Sequence, residues 1–204
     1  MSIMIVDYGM GNIFSVKKML DMLGVTSFIS NNPSDILKAD KIILPGVGSF
    51  KMAMENLEKY NLIGVLNEAR LNKTPILGIC LGMQLMANYS YEGGKVEGLG
   101  WINGVVDVLI PDGGLRVPHI GWNNVKLLDK NLLFNSFLGE PTFYFSHSYA
   151  IRYDKQSEVI AVCDYGQIFP VAIQSNNIFG TQFHPEKSQL NGRILLENFL
   201  SWGG

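Results

Sequence analysis

The pentapeptide Gly78-Ile-Cys-Leu-Gly82 places a cysteine between two glycines, where a short apolar strand gives way to a helical segment. A nucleophile on such a sharp strand-to-helix turn needs small residues two positions away on either side, because a Cβ there would clash with the turn. The following helix, predicted from Leu81 to Ala87, directs unpaired N–H groups and the positive end of its dipole at the sulfur, which favours a thiolate. The pattern predicts a nucleophilic Cys80; the alternative is a small buried apolar side chain.

A nucleophilic cysteine needs a base, and the informative histidine stands in Gln182-Phe-His-Pro-Glu186. Pro185 biases His184 toward an extended backbone, so His184 and Glu186 are expected on the same side of a strand-like segment. A carboxylate there can fix the tautomer of the imidazole and stabilise its charged form. The alternative is a surface turn with a solvated glutamate. The presence of both motifs in one chain favours a set of Cys80, His184 and Glu186.

A second glycine-rich turn, Pro45-Gly-Val-Gly48, is too short for a phosphate-binding fingerprint. Its flexible backbone suits an oxyanion hole, in which the N–H groups of Val47 and Leu81 face the developing negative charge. An ordinary glycine-rich turn is the alternative for the Val47 segment.

Composition and spacing argue against several other kinds of site. Formal net charge is −2 with no block of Lys or Arg, which argues against a nucleic-acid partner. His119 and His147 stand alone in the sequence, and no C-x-x-C or H-x-x-x-H spacing occurs, so no metal site is expected.

The location of the protein is predicted from its segments and its cysteines. No apolar run approaches the roughly 18 residues that span a membrane, and the N-terminus lacks the basic region of a signal peptide. The two cysteines, Cys80 and Cys163, fit a reduced cytoplasmic chain better than a disulfide, and Cys163 lies in an apolar run typical of a core.

Strands that alternate with helices over residues 1–88 must position the reactive groups. The predicted strands are Ile3–Val6, Val25–Ile29, Lys41–Leu44 and Ile76–Ile79. Helices are predicted after Asn12, after Asn32 and Ser49 as capping residues, and over Ile63–Leu71. This alternation is typical of βαβ units and a parallel sheet, whose ligands bind beyond the carboxyl ends of the strands. The Asp7–Asn12, Pro45–Ser49 and Cys80 turns should therefore gather at one edge.

The second half of the chain is rich in short β-type runs separated by turn residues. The predicted strands are Val105–Ile110, Asn124–Leu128, Thr142–Phe145, Glu158–Cys163, Val171–Gln174 and Ile178–Thr181, and a helix over Asn191–Trp202 follows. We expect one α/β domain over residues 1–204: an open twisted, mostly parallel sheet flanked by helices, with additional antiparallel strands.

The motifs together resemble the triad-type (class I) glutamine amidotransferases and, within them, the HisH subunits of imidazole glycerol phosphate synthase. The cysteine turn and His184-Pro-Glu186 carry the first resemblance. The second is carried by Asp7-Tyr-Gly-Met-Gly-Asn12, Pro45-Gly-Val-Gly-Ser-Phe50, Val117-Pro-His-Ile-Gly-Trp-Asn123, Tyr144-Phe-Ser-His-Ser-Tyr149 and His184-Pro-Glu-Lys-Ser188. These segments keep the family's order and cover essentially the whole chain.

The resemblance implies a catalytic triad of Cys80, His184 and Glu186 that hydrolyses L-glutamine to glutamate and ammonia through a cysteine thioester, without a cofactor. It implies that Gln84 helps to hold the substrate glutamine and that Gly48 lines the same pocket.

The resemblance also implies a heterodimer with a separate (β/α)8-barrel, HisF-like cyclase subunit. That partner would use the ammonia to make imidazole glycerol phosphate and AICAR in histidine biosynthesis. Trp122, Tyr144 and Lys187 would lie near this interface, and the Pro45–Gly48 strand would rearrange to complete the oxyanion hole when the partner is loaded.

Three alternatives stay open. Gly98-Leu-Gly-Trp-Ile102 and Lys187-Ser-Gln-Leu-Asn191 depart slightly from the histidine-pathway pattern, and related subunits feed ammonia to a surface-sugar-modifying synthase. A stand-alone cysteine hydrolase such as a peptidase is disfavoured by Gln84 and the partner-facing segments. An inactive regulatory subunit is disfavoured by the intact triad.

Overall fold

Four apolar segments of the first half form the parallel part of a central sheet in the computed structural model, which describes residues 1–128, 131–153 and 158–203. These strands are β1 (Ile3–Val6), β2 (Ser27–Ser30), β3 (Lys41–Gly46) and β4 (Ile76–Cys80). They pair in the order β2-β1-β3-β4 with parallel register throughout. The predicted βαβ arrangement is confirmed. The strands β2, β3 and β4 each end one or two residues later than expected, and β2 begins at Ser27 instead of Val25.

The second half supplies further strands, which extend the sheet and form two small ones beside it. They are β5 (Tyr89–Ser90), β6 (Val96–Glu97), β7 (Gly104–Val108), β8 (His119–Asn124), β9 (Lys126–Leu127), β10 (Thr142–His147), β11 (Tyr149–Tyr153), β12 (Val159–Asp164), β13 (Ile168–Ser175) and β14 (Ile178–Thr181). Within the described residues, β14 pairs parallel with β4, and β13, β12 and β9 continue the same sheet antiparallel. The fold is the expected α/β domain with added antiparallel strands.

One predicted strand is divided between two sheets. The apolar run Asn124–Leu128 was expected to be continuous, but Asn124 ends β8, which pairs with β10, while β9 joins the central sheet. Val125 lies between them, fully buried, with its N–H donated to the carbonyl of Pro141 at 2.8 Å. The chain changes sheets at this residue, which a local hydrophobicity pattern does not reveal.

Helices cover the central sheet. They are α1 (Ile13–Met22), α2 (Pro33–Leu37), α3 (Phe50–Lys59), α4 (Leu62–Leu71), α5 (Leu81–Gln84) and α6 (Gln189–Ser201). Asn32 caps α2 as predicted, since its Oδ1 accepts from the Ser34 N–H at 3.0 Å. The predicted side-chain cap from Ser49 is wrong, because the first N–H of α3, that of Phe50, is instead donated to the Glu92 carboxylate at 2.9 Å.

The core lies on both faces of the sheet. Along β1, Ile3 and Ile5 face one apolar cluster, whereas Met4 and Val6 face the other, as the two-residue period of a strand requires. Strands buried on both faces read as continuous apolar runs, which is the pattern of β1, β3 and β4. Burial of each large aliphatic side chain contributes about 1.5–3 kcal/mol, so this layered core holds the strand ends in place.

Candidate active site

The backbone at Cys80 turns sharply between β4 and α5, with φ of 53° and ψ of −108°. Both flanking glycines are required by contact: a Cβ at Gly78 would lie 2.6 Å from the carbonyl oxygen of Gly82, and one at Gly82 only 1.8 Å from that of Leu44. A non-glycine residue at such a φ is strained and is held there by its surroundings. The predicted nucleophile turn is therefore present at Cys80.

The helix behind this turn is shorter than expected. Regular α-helix ends at Gln84, and the chain continues to Ala87 by tighter bonds, such as that from the Ala87 N–H to the Gln84 carbonyl. One turn of helix adds little macrodipole, so local N–H groups are its main contribution to the electrostatics around the sulfur.

His184 and Glu186 form a buried pair. The Nδ1 of His184 lies 2.8 Å from the Oε1 of Glu186, and the two side chains are 1% and 2% exposed. The predicted pairing is present, but its predicted backbone is wrong: only His184 is extended, and Pro185–Lys187 forms a 3-10 turn. The turn brings the carboxylate back under the ring, a geometry that proline at its first position favours.

The imidazole of His184 interacts with both Cys80 and Glu186. Burial by itself lowers the pKa of His184, but its interactions with the Cys80 sulfur and the Glu186 carboxylate outweigh burial and raise that pKa above its ordinary value. The other ring nitrogen, Nε2, is buried and has no hydrogen-bond partner among the described residues. The interactions with Cys80 and Glu186 therefore favour the protonated ring, which is the form that can donate a proton.

Gln182, to which the sequence analysis assigned no role, also contacts the sulfur. Its Nε2 lies 3.6 Å from the Sγ of Cys80, and its Oε1 accepts from the Nε2 of Gln84 at 3.0 Å. Gln84 is buried, and its Nε2 also donates to the carbonyl of Tyr149 at 2.8 Å. A signal was available in the sequence: Gln182 precedes His184 by two residues, and alternate side chains share a side wherever a backbone is extended, so the strand-like prediction for this motif also covered Gln182.

The Pro45–Gly48 turn lies beside Cys80 because Gly46 is its register partner across β3 and β4. A Cβ at Gly46 would be 2.6 Å from the Tyr8 hydroxyl and 2.8 Å from the Leu81 Cβ, so only glycine fits. Tyr8, which is fully buried, donates its hydroxyl to the carbonyl of Pro45 at 2.7 Å. Burial and the nearby Cys80 raise the pKa of Tyr8, which keeps the phenol neutral and able to donate.

The remaining predicted pocket residues lie at the same edge. Val47 directly follows β3 and is 39% exposed, whereas Leu81 directly follows Cys80 and is buried. Gly48 has a φ of 109°, and a Cβ there would be 2.8 Å from the Cε of Met10. The Asp7–Asn12, Pro45–Ser49 and Cys80 turns therefore gather at one edge, as the topology predicts.

Three residues assigned to a partner surface form a cluster. The rings of Trp122 and Tyr144 are 6.0 Å apart between centroids, on opposed positions of β8 and β10, and the Lys187 ammonium lies 5.6 Å from the Tyr144 ring centroid. Trp122 is 48% exposed, whereas Tyr144 also lies 6.5 Å from the His184 ring. The cluster connects the surface directly to the reactive groups.

The described part of the chain offers neither a cluster of metal ligands nor a membrane-spanning helix. Residues 1–128, 131–153 and 158–203 contain no group of three His, Cys, Asp or Glu side chains placed to hold a metal ion. Over the same residues, every helix is too short or too polar to cross a bilayer.

The family model described as "Glutamine amidotransferase class-I" matches residues 4–201. One similar protein is the imidazole glycerol phosphate synthase subunit HisH 1 of Campylobacter jejuni subsp. jejuni serotype O:23/36 (strain 81-176). It is 48% identical over 198 residues, which cover 97% of this chain and 98% of that protein. Another is the subunit HisH 2 of Methanococcus maripaludis, at 44% identity with coverage of 97% and 98%.

Solved structures share the fold at low sequence identity. The structure of PurLQS from Thermotoga maritima superposes with a TM-score of 0.75 at 17% identity, covering 98% of this chain and 97% of that chain. A structure described as a glutamine amidotransferase gives a TM-score of 0.74 at 18% identity, with coverage of 97% and 96%.

Proposed function

The chain belongs to the class-I glutamine amidotransferase family, and on that premise we propose that it is the glutaminase subunit of an imidazole glycerol phosphate synthase. Its substrate is L-glutamine, which it hydrolyses to glutamate and ammonia. The observation that carries the proposal is the convergence of Cys80, on its strained turn, with the buried His184–Glu186 pair. Relatives that match this chain almost end to end bear the name of that subunit.

The proposed reaction begins with attack of the Cys80 thiolate on the carboxamide carbon of glutamine. The N–H groups of Val47 and Leu81 stabilise the tetrahedral oxyanion. The His184 imidazolium gives its proton to the leaving nitrogen, ammonia departs, and a glutamyl thioester remains on the sulfur. Neutral His184 then takes a proton from water as it attacks the thioester, and glutamate leaves the regenerated thiolate.

Glu186 acts on this cycle through the imidazole. Its carboxylate accepts from the Nδ1–H of His184, which fixes the tautomer with Nε2 toward the sulfur and stabilises the ring when it is charged. Gln84 and Gly48 belong to the wall of the glutamine pocket in this proposal. The single amide oxygen of Gln84 is its remaining polar atom for substrate, because its Nε2 already donates to Gln182 and to the Tyr149 carbonyl.

We propose that ammonia passes to a (β/α)8-barrel cyclase subunit bound over the Trp122–Tyr144–Lys187 cluster. In bulk water at neutral pH, ammonia is mostly converted to ammonium, which is not a nucleophile. A sealed interface avoids that loss. The cluster fits such an interface because it presents an exposed aromatic ring and a cation close to His184. We place the reaction in the cytoplasm, since both cysteines are free and a reducing compartment keeps Cys80 reactive.

The experiment is a coupled assay of the purified chain with the HisF-like cyclase subunit from the same organism. Glutamate release and imidazole-ring formation are measured for the wild type, for Cys80→Ala and for Cys163→Ala. The last variant is a matched control, because Cys163 is fully buried on β12, which lies three strands from β4 in the central sheet. We expect Cys80→Ala alone to abolish both products. Glutamate release that survives in Cys80→Ala contradicts the proposal. If the chain transfers ammonia only to a sugar-modifying synthase, the surface-sugar alternative replaces the histidine-pathway function.

A further inference from the structure

We propose that Gln182 is a positioning residue for the nucleophile: it donates an amide N–H to the Cys80 sulfur and holds the thiolate in line for attack. The inference rests on the proposed function for its chemical purpose. Its structural basis is the 3.6 Å separation of Gln182 Nε2 from Cys80 Sγ, with Gln182 fully inaccessible to solvent. No water competes for that donor, so its hydrogen bond must be made within the protein.

The orientation of the Gln182 amide follows from the backbone carbonyl of Tyr149, to which it is linked through Gln84 by two successive hydrogen bonds. The backbone oxygen of Tyr149 can only accept, so the atom of Gln84 that lies 2.8 Å from it must be the NH2 group. The second N–H of that group is donated to Gln182 at 3.0 Å, and the accepting atom there must be the amide oxygen. The NH2 group of Gln182 is consequently the end that faces Cys80.

The Tyr149 carbonyl is itself fixed from a second side. The Nδ1 of His147 lies 2.9 Å from the same oxygen and must donate to it. His147 is then left with Nε2 as an acceptor, which lies 3.1 Å from the Nδ1 of His119. Two donors therefore use both lone pairs of this oxygen. The orientation of Gln182 is set by a network and does not depend on one rotamer choice.

The Cys80 sulfur interacts with two side chains that lie two residues apart in the sequence, those of Gln182 and His184. An N–H directed at sulfur favours the thiolate over the thiol, because the hydrogen bond is stronger to the charged form. It also restricts rotation about the Cys80 Cα–Cβ bond, so that the sulfur stays in the position needed for attack. In the proposed reaction His184 donates the proton to the leaving group, whereas Gln182 only orients the Cys80 sulfur.

The test compares Gln182→Glu and Gln182→Met with Gln174→Glu and Gln174→Met. Glutamate retains the oxygen that accepts from Gln84 and loses only the donor toward sulfur. Gln174 is a half-buried glutamine on β13 and serves as the matched site. The first readout is the rate of alkylation of Cys80 by iodoacetamide as a function of pH, quantified by peptide mapping, with buried Cys163 as an internal reference.

We expect the pH of half-maximal alkylation to rise by about one unit in Gln182→Met. It should rise further in Gln182→Glu, where a carboxylate faces the sulfur. The glutaminase kcat should fall about 10-fold with little change in KM, because the lost contact is to the nucleophile. The Gln174 variants should keep both the alkylation profile and kcat.

An alkylation profile that is unchanged in Gln182→Glu overturns the inference. Loss of kcat with an unchanged profile also overturns it, since it indicates a structural role alone. Alkylation is measured without glutamine, so a shifted profile in a protein that fails to hydrolyse glutamine would support the role of Gln182 and reject the proposed function.

Discussion

The Nδ1 of His184 and the Oε1 of Glu186 lie 2.8 Å apart, although an extended residue carries the ring and a 3-10 turn carries the carboxylate. The two groups are sealed from solvent, so the carboxylate has no bulk water to hold its charge. The ion pair with the protonated His184 ring offsets the cost of removing this carboxylate from water. The distance between these two atoms therefore links the fold of this turn to the proton transfer that we propose at Cys80.

Replacement of Glu186 by glutamine tests this link. The amide keeps the volume but favours the wrong tautomer of His184, and it no longer stabilises the imidazolium. We expect kcat for glutamine hydrolysis to fall at least about 100-fold with KM nearly constant. Glu197→Gln is the control, because Glu197 pairs with Arg193 on an exposed helix face and should change neither constant. A kcat for Glu186→Gln within a few-fold of the wild type would contradict this role.

The glycines of the turn give a paired prediction on stability. A methyl group at Gly82 would be 1.8 Å from the backbone oxygen of Leu44, so Gly82→Ala should lower the free energy of unfolding by about 1–3 kcal/mol or more. Gly64, in the exposed part of α4, has no atom within 4 Å of such a methyl group, so Gly64→Ala should stabilise by about 0.5–1 kcal/mol. Urea unfolding of both variants measures the difference. If both variants changed the free energy of unfolding equally, the backbone near Leu44 would have moved to accept the Gly82→Ala methyl group without loss of stability.

The two buried histidines His119 and His147 should make the folded protein less stable in mild acid. Burial lowers the pKa of His119 to about 4 and that of His147 to about 3; the Tyr149 carbonyl opposes the shift at His147, and the charges of His119 and His184 add to it. In the unfolded chain both groups regain ordinary pKa values, so below about pH 6.5 the unfolded state binds more protons. Stability should fall by about 2 kcal/mol per histidine between pH 7 and pH 5.

Urea unfolding at the two pH values checks this, with His147→Gln expected to lose less stability than the wild type. The pKa of His184 is raised, so its contribution is complete below its ordinary pKa and is lost only as pH rises through the folded value. It does not add to the loss in acid. An equal loss in wild type and His147→Gln would rule out the buried pair as the source.

Trp122→Ala tests the proposed partner surface. The ring is half-exposed, stacks edge-on against Tyr144 and presents the kind of aromatic anchor that dominates binding energy. We expect the Kd for the cyclase subunit to rise about 10-fold or more. Phe28→Ala is the control, because Phe28 is equally exposed on β2 at the far edge of the sheet. Titration calorimetry that finds the same Kd for wild type and Trp122→Ala would remove this cluster from the interface.

Much of this architecture can be predicted from the sequence, because its determinants are local. Apolar runs such as Ile3–Val6 and Lys41–Leu44 indicate strands buried on both faces, and Gly78 and Gly82 predict the turn at Cys80. The carboxyl ends of parallel strands share an edge by topology. This rule alone predicts that the turn after β1 lies beside the turn after β3.

The features that the sequence analysis missed or predicted wrongly depend on contacts between distant segments. Glu92 caps α3 from a loop some forty residues away, which leaves Ser49 without that role. Gln182 faces the sulfur because of Gln84 and the Tyr149 carbonyl, and local periodicity carries no information on such a network. The change of sheet at Val125 likewise follows from its burial between two sheets.

The most direct measurement is to quench the enzyme during glutamine turnover and to locate the covalent intermediate by peptide mapping. We expect a glutamyl adduct on the peptide that contains Cys80, and no adduct on the Cys163 peptide or in the Cys80→Ala protein. An adduct on another residue, or a Cys80→Ala protein that still releases glutamate without forming any adduct, would show that this sulfur is not the nucleophile.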